Sequence, residues 1–218
     1  MNRERSGRDG PAMLYLVRHG ATEANERKPY VLQGSGIDNP LSAAGRAQAE
    51  AVGRFLSDFP LDAVYSSPMR RAAETAAEIA RPHGLEVRRL AGLLECHVGV
   101  WEGMNWDAIQ RDYPAECAAF LENPWDSPYL EGESYRDVLA RVGPVFERLL
   151  AEHAGGSIAV VGHSVVNRAW LSHLLGVDPR SARDLRQMNG CVNVIRRRDD
   201  EVRVLTLNAH FHAPDALE

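Results

Sequence analysis

Short runs of apolar, strand-forming residues alternate with segments of helical periodicity along this chain. The runs MLYLVR (13–18), LDAVYSS (61–67) and SIAVVG (157–162) each lead into a segment with alanine or leucine at helical spacing. A short apolar run of this kind is typical of a buried strand, and strands that alternate with helices favour a parallel sheet. The sequence therefore predicts an α/β fold with a mostly parallel central sheet.

The remaining segments extend this pattern. Ser67 and Pro68 predict the cap and the first position of a helix, and Ser134 predicts the cap of another that ends near residue 152. Further strand candidates are 85–90, 191–198 and 201–208, of which the last two predict a hairpin.

Length and residue distribution predict the domain organisation. A chain of 218 residues fits one large domain. The polar segment 1–12 is predicted to be a disordered tail and 13–218 a single domain. Tryptophans and prolines concentrate in the middle of the chain, so the stretch at about 96–133 is predicted to be a small helical insertion that forms a lid.

Composition excludes several classes of protein. The net charge of −5 gives no sign of the basic face that nucleic-acid binding requires, and no apolar run is long enough for a membrane span. The N-terminus lacks the apolar core of a secretory signal. The three cysteines, an odd number without metal-ligand spacing, favour a reducing compartment, so we expect a cytoplasmic protein without a nucleic-acid or membrane partner.

Charged and imidazole side chains stand at the predicted strand ends. Arg18 and His19 follow the first strand, Arg70 follows the second, and His163 follows the strand at 157–162. Because ligands bind beyond the carboxyl ends of parallel strands, these groups could form one phosphoryl pocket, in which a histidine can act as nucleophile and Glu95 is a candidate proton donor. Taken singly, each has a simpler interpretation: a solvated helix residue, a core histidine or a surface charge. Their joint placement favours the pocket.

Six motifs in this order resemble the histidine phosphatase superfamily, also called the phosphoglycerate mutase-like family. The resemblance runs from about residue 13 to about 210 and implies a three-layer α/β/α fold. The motifs are LYLVRHGATEAN (14–25), LQGSGIDNPLSAAGRAQAE (32–50), VYSSPMRRAAETAAEIA (64–80), LLECHVGVWEG (93–103), EGES (131–134) and VVGHS (160–164).

The resemblance implies a role for each matching residue. His19 matches the nucleophile, Glu95 matches the proton donor, and Arg18, Arg70 and His163 match the groups that hold the phosphoryl oxygens. The implied reaction forms a phosphohistidine and hydrolyses it, and it needs neither a cofactor nor a metal.

Residues around the phosphoryl pocket are also implied. Ser164 stands where the family most often has glycine, and Arg168 is expected either to bind a second anionic group or to form a salt bridge. The histidine pair His210 and His212 is expected to pack against the fold rather than bind a metal. Expected substrate contacts or neighbours are Asn25, Thr22, Gln33, Gly34, Ser164 and Trp101, of which Trp101 is placed near the pocket mouth.

The family contains both mutases and phosphatases. The mutase branch carries a lysine after the acid loop and an arginine pair in the insertion, whereas the corresponding stretches GMNWDAIQ and ENPWDSPYLEGES contain neither. We therefore expect a phosphatase that acts on a small phosphorylated metabolite. A 2,3-bisphosphoglycerate-dependent mutase, an inactive phospho-ligand-binding module and a phosphoprotein phosphatase remain as alternatives. A homodimer is left open, because several family members are dimers.

Overall fold

The computed structural model describes residues 10–210 and 212, and within them six strands form one sheet. The strands are β1 (Ala12–Arg18), β2 (Ala63–Ser66), β3 (Val87–Arg89), β4 (Ser157–Gly162), β5 (Val192–Arg198) and β6 (Glu201–Ala209). Their order across the sheet is β3-β2-β4-β1-β5-β6. The first four in this order run parallel, and β5 and β6 add an antiparallel hairpin at the β1 edge.

Helices cover both faces of the parallel part of the sheet. In the described residues the α-helices are α1 (Glu23–Glu26), α2 (Ala43–Leu56), α3 (Arg70–Ala80), α4 (Trp106–Asp112), α5 (Pro114–Glu122), α6 (Tyr135–Glu152) and α7 (Ser164–Leu175). One group of buried side chains joins α2 and α3 to the sheet, and a second joins α6 and α7 to it. The three-layer α/β/α architecture predicted from the sequence is confirmed.

The alternation of side chains along β1 explains why its sequence is a continuous apolar run. Leu14 and Leu16 pack with the α6–α7 side, whereas Tyr15 and Val17 pack with the α2–α3 side. A parallel strand buried on both faces needs apolar residues at every position. None of the helices among the described residues is long and apolar enough to span a membrane.

Several boundaries differ from the sequence prediction. β1 begins at Ala12, which the prediction assigned to the tail, and residues 1–9 of that tail lie outside the described residues. Ser134 caps α6 with the expected capping box. Ser67 does not cap α3: the helix begins at Arg70 after Met69, whose side chain makes no capping hydrogen bond.

The predicted insertion contributes α4, α5 and a dense group of aromatic rings. Trp101 packs edge-on against Trp106, Phe120 and Tyr129, with ring centroids 5.6–6.1 Å apart. These rings are continuous with the buried side chains beneath α6 and α7. The insertion therefore extends one of the two cores.

A backbone contact fixes the loop after β1 against the start of α2. A Cβ atom built at Gly45 would lie 1.8 Å from the carbonyl oxygen of Ala21, and one built at Gly20 would lie 2.3 Å from the carbonyl oxygen of Gly45. The N–H of Ser42 donates to that same Ala21 carbonyl at 3.0 Å. Only glycine allows the segment that follows Arg18 to approach the helix so closely.

We expect Gly45→Ala to destabilise the protein by about 1–3 kcal/mol, because the added methyl group must displace the loop after β1. Helix propensity alone predicts the opposite sign, since alanine stabilises a helix by up to about 1 kcal/mol relative to glycine. The free energy of unfolding from urea titration decides between the two. Ala44→Gly, at an exposed position of the same turn, is the control for propensity, and a stabilised Gly45→Ala would contradict the close contact.

Candidate active site

The carboxyl ends of β1 and β4 lie side by side and bring two histidines together. Arg18 is paired with Gly162 across the two strands, and the N–H of His19 donates to the carbonyl of Gly162 at 3.2 Å. The ring centroids of His19 and His163 are 5.1 Å apart, in an edge-to-face arrangement. Both side chains are buried. The sheet thus assembles the pair of imidazoles that the sequence placed at its strand ends.

A single hydrogen bond fixes the tautomer of His19. Its Nδ1 lies 2.7 Å from the carbonyl oxygen of Gly20. A carbonyl oxygen can only accept, so Nδ1 must carry the proton. In the neutral ring the lone pair is then on Nε2, which is the nitrogen available to attack an electrophile.

Both histidines lie in a positive environment. Burial, followed by the charges of Arg71 and Arg18, holds the pKa of His19 well below its usual value of 6.5. Burial and the same two guanidinium groups also hold the pKa of His163 well below 6.5. Both imidazoles are therefore neutral at neutral pH, and Nε2 of His19 keeps its lone pair.

Arg18 extends into the site from the end of β1. One of its terminal nitrogens, Nη1, donates to the backbone carbonyl of Gln187. Its Nε is buried without a hydrogen-bond partner among the described residues. The guanidinium is thus anchored on one side and leaves a donor available on the other.

The second arginine of the site is Arg71, and the assignment of Arg70 from the sequence is wrong. The side chain of Arg70 is 60% exposed and lies beside Glu74, 3.8 Å away. Arg71 is buried and acts on the pKa values of both histidines. The physical reason is the start of α3, which comes two residues later than Pro68. Consecutive residues of an α-helix point about 100° apart, so Arg70 and Arg71 lie on different faces of α3 and only Arg71 is turned inward.

The loop that holds Arg71 is itself held by a carboxylate. Arg71 donates from Nη1 to the carbonyl of Ile37 at 2.9 Å and from Nη2 to that of Gly34 at 3.1 Å. Oε1 of Glu102 accepts from the N–H groups of Gly34, Gly36 and Ile37 at 2.7–3.0 Å. Glu102 therefore fixes the carbonyls that orient the guanidinium. The predicted neighbour Gly34 takes part through its backbone.

Glu95 is buried at the N-terminus of α7. Its carboxylate accepts from the N–H of Cys96 at 2.9 Å, from that of Val165 at 3.3 Å and from that of Val166 at 3.4 Å. Its charge acts on both Arg18 and Arg71, which places it in the same crevice. The structure thus brings a carboxyl group to the two histidines, as the sequence predicts.

The predicted residues Thr22, Asn25 and Gln33 form one connected group beside the loop after β1. The hydroxyl of Thr22 donates to Oε1 of Gln33 at 2.6 Å, and Thr22 and Asn25 form the capping box of α1. Nδ2 of Asn189 donates both to the backbone carbonyl of His19 at 3.1 Å and to Oδ1 of Asn25 at 3.3 Å. Gln33 therefore presents its amide nitrogen, which has no partner within the described part of the chain.

Trp101 belongs to the aromatic core of the insertion, whereas Ser164 and Arg168 belong to α7. Trp101 is fully buried among aromatic rings, so its assignment to the pocket mouth is wrong, because the insertion folds its aromatic residues into the core. Tyr129 is buried beside it. Ser164 is the first residue of α7 and is partly exposed. Arg168 donates from Nε to the carbonyl of Leu185 at 2.8 Å.

The two C-terminal histidines lie against the loop that supports His19. Nε2 of His210 is 2.8 Å from the carbonyl of Asn189, and Nε2 of His212 is 2.9 Å from that of Gly190. The N–H of Gly190 in turn donates to the carbonyl of Arg18 at 3.0 Å. This agrees with the expected packing role. Among residues 10–210 and 212, no three His, Cys, Asp or Glu side chains are grouped so that they could hold a metal ion.

The chemical character of the crevice follows from its unpartnered donors. Buried side-chain nitrogens on four of its residues have no hydrogen-bond partner in the described chain. Leaving buried donors unpaired costs free energy, so such a set fits an anion with several acceptor oxygens. The donors are Arg18 Nε, Gln33 Nε2, Arg71 Nε and the ring nitrogen of His163 that carries the single proton of the neutral imidazole.

Comparison with known families assigns the chain. Residues 14–210 match the histidine phosphatase superfamily (branch 1). The chain belongs to this superfamily. The family predicted from the six motifs is confirmed, and so is the enzyme class, a phosphatase.

Similar members of the superfamily include named phosphatases. Phosphoserine phosphatase 1 of Hydrogenobacter thermophilus is 34% identical over 199 residues, which cover 91% of this chain and 93% of that protein. The structure of a mycobacterial glucosyl-3-phosphoglycerate phosphatase has a TM-score of 0.80 at 28% identity and covers 91% of this chain and 99% of its own. That of the Entamoeba histolytica phosphoserine phosphatase in complex with 3-phosphoglyceric acid has a TM-score of 0.83 at 25% identity, covering 93% and 99%.

Sequence reasoning missed three residues that hold the site. Arg71 was missed because Arg70 stands next to it. Comparing a helix that starts at Pro68 with one that starts at Arg70 could have shown that either arginine can face the site. Glu102 and Asn189 act through backbone groups far away in the sequence, and no local pattern marks such contacts.

We expect Arg71→Met to lower kcat/KM for a phosphomonoester by about 10²–10³-fold, which is the typical cost of one electrostatic donor in an active site. Arg70→Met, one residue away but exposed, should change it by less than about threefold. Steady-state kinetics with both purified variants, together with thermal unfolding to confirm that they are folded, make the comparison. A larger loss in Arg70→Met would restore the assignment made from the sequence.

Proposed function

We propose that this chain is a phosphomonoesterase that acts on a small phosphorylated metabolite through a phosphoryl group carried transiently by His19. The observation that carries the proposal is the neutral Nε2 of His19, fixed by the Nδ1 contact with Gly20 and placed among buried donors without partners. Arg18 and Arg71 supply positive charge from side chains, so the reaction is proposed to need no metal ion.

In the first step, Nε2 of His19 attacks phosphorus while the bond from phosphorus to the ester oxygen breaks. The departing alkoxide takes a proton from Glu95. Negative charge on the phosphoryl oxygens is stabilised by Arg18, Arg71 and His163, whose positions do not need to change during the transfer.

In the second step, water attacks the phosphorus of phosphohistidine and the bond to Nε2 breaks. Glu95, now deprotonated, accepts the proton of the attacking water, which restores its starting state. The products are the alcohol, inorganic phosphate and the free enzyme. The buried position of Glu95 at the start of α7, in reach of the same crevice, supports both roles.

The relatives support a substrate class. Phosphoserine, glucosyl-3-phosphoglycerate and 3-phosphoglyceric acid, which occur in the names of similar proteins, are phosphomonoesters that also carry a carboxylate. We therefore propose carboxylate-bearing alkyl phosphates as the first substrates to test.

The proposal predicts phosphate release from such a panel in the presence of EDTA, and its loss in His19→Ala. His173→Ala, an exposed histidine in the last turn of α7, is the matched control and should retain activity. Each assay is run with and without 2,3-bisphosphoglycerate. Interconversion of phosphoglycerates that requires bisphosphoglycerate, without phosphate release, would make the chain a mutase, and release by His19→Ala would remove its role as nucleophile.

The pH dependence follows from the lowered pKa values of the two histidines. The attacking form of His19 is the neutral one, so kcat/KM should stay constant as the pH falls through 6.5 and decline only well below it. The decline reports the interacting pair with His163 rather than one residue. Arg71→Met removes a positive charge and should move the decline to higher pH. The measurement is kcat/KM as a function of pH, corrected for titration of the substrate phosphate. A decline centred near pH 6.5 in the wild type would contradict the lowered pKa values.

Finer predictions about localisation, assembly and domain organisation remain proposals. Cytoplasmic localisation is supported by Cys96, Cys117 and Cys191, which are all buried and free. The single domain at 13–218 and the insertion as a lid remain predictions, and a homodimer remains open.

A further inference from the structure

Arg141 of α6 binds the backbone that leads to Glu95. Its Nη1 donates to the carbonyls of Gly92 at 3.1 Å and Leu94 at 2.8 Å, and its Nη2 donates to the carbonyl of Glu95 itself at 3.1 Å. One guanidinium group therefore holds three carbonyls within four residues of the segment that ends at the proton donor.

Glu133 holds the other side of the same segment. It forms a two-pronged ion pair with Arg141, in which Nε donates to Oε1 at 2.7 Å and Nη2 donates to Oε2 at 3.0 Å. Oε2 also accepts from the N–H of His97 at 2.8 Å, and the N–H of Glu133 donates to the carbonyl of His97 at 2.8 Å. Backbone groups before and after Glu95 are thus tied to one ion pair.

The geometry requires the planar fork of arginine. All three nitrogens of the guanidinium are used, in five hydrogen bonds. A lysine ammonium is a single point donor and cannot span these acceptors. The pair is also partly buried, with side chains 27% and 25% exposed, unlike the pair of Arg136 and Asp126 at 63% and 50%.

The carboxylate of Glu95 depends on this support. Its hydrogen bonds to α7 are long, at 3.3 and 3.4 Å, and its shorter one, at 2.9 Å, is to the N–H of its own neighbour Cys96. The position of the carboxylate relative to the crevice is therefore set mainly by the backbone that carries it. A proton donor must lie within hydrogen-bond reach of the leaving oxygen.

We propose that Arg141, together with Glu133, is a positioning residue for Glu95, required for protonation of the leaving group and not for attack by His19. The inference rests on the proposed function. It predicts that loss of Arg141 acts only on substrates whose leaving group needs a proton.

The test compares two substrates in Arg141→Met and Arg141→Lys. For an alkyl phosphate such as phosphoserine, kcat/KM should fall by about 10–100-fold, because displacement of a catalytic group by about 1 Å is enough for such a loss. For p-nitrophenyl phosphate, whose leaving group needs little proton transfer, kcat/KM should change by less than about threefold. Arg136→Met, which removes an exposed ion pair of the same helix, is the matched control and should leave both values unchanged.

The Glu95→Gln background separates this inference from the proposed function. Glu95→Gln alone should lower kcat/KM mainly for the alkyl phosphate, and adding Arg141→Met should then cause little further loss. Equal slowing of both substrates by Arg141→Met, or a full additional loss in the Glu95→Gln background, would overturn the positioning role. Equal slowing of both substrates by Glu95→Gln would instead remove Glu95 as the proton donor.

Glu133→Gln provides a second variant that keeps the size of the side chain. It should show the same dependence on the leaving group with a smaller loss, because Arg141 keeps its three backbone carbonyls. Thermal unfolding identifies folded variants. If Arg141→Met does not fold, Glu133→Gln decides, and equal slowing of both substrates in that variant overturns the proposal.

Discussion

The burial of two guanidinium groups in one crevice is the constraint on which the rest of the site depends. Burying a charge without a partner is costly, and two like charges close together add to that cost. Arg18 and Arg71 are held by backbone carbonyls, those of Gln187, Gly34 and Ile37. Carbonyl dipoles orient a cation without neutralising it. The net positive charge therefore remains available to an anion.

The same positive charge determines the state of the histidines. Burial beside two guanidinium groups lowers the pKa of an imidazole, so the ring is neutral. The neutral ring is the form that can act as a nucleophile. In the proposed mechanism, the charge that attracts phosphate therefore also keeps the attacking imidazole in its reactive form. Glu95 has a different task from the histidines, since in the proposed mechanism it donates a proton in the first step and accepts one in the second. The N-terminus of α7 and the backbone held by Arg141 fix it in the same crevice as the cationic pair.

The strand ends could be predicted from the sequence because they depend on local patterns. Apolar runs predicted β1, β2 and β4. Because these strands are parallel neighbours, their carboxyl ends lie at the same edge of the sheet. His19, His163 and Glu95 followed from that argument and from the family motifs. Arg71 did not, because Ser67 and Pro68 resemble a helix start, whereas the hydrogen bonds of α3 begin two residues later.

The positions of residues that act through tertiary contacts could not be predicted from the sequence. Trp101 stands next to the acid segment in the chain, yet aromatic packing across the insertion buries it. Glu102 and Arg141 bind backbone atoms tens of residues away, and neither the charge nor the spacing of these side chains indicates those partners. Support of this kind depends on how three separate segments meet, which periodicity does not encode.

The contact between Nδ1 of His19 and the carbonyl of Gly20 also has a regiochemical consequence. An imidazole offers two nitrogens, and free histidine is phosphorylated on either. Here one nitrogen is committed as a donor to the chain, so the phosphoryl adduct that we propose can form only on the distal nitrogen, Nε2. The phosphoenzyme is then a single isomer, N-tele-phosphohistidine, and the ring keeps its N–H throughout the catalytic cycle.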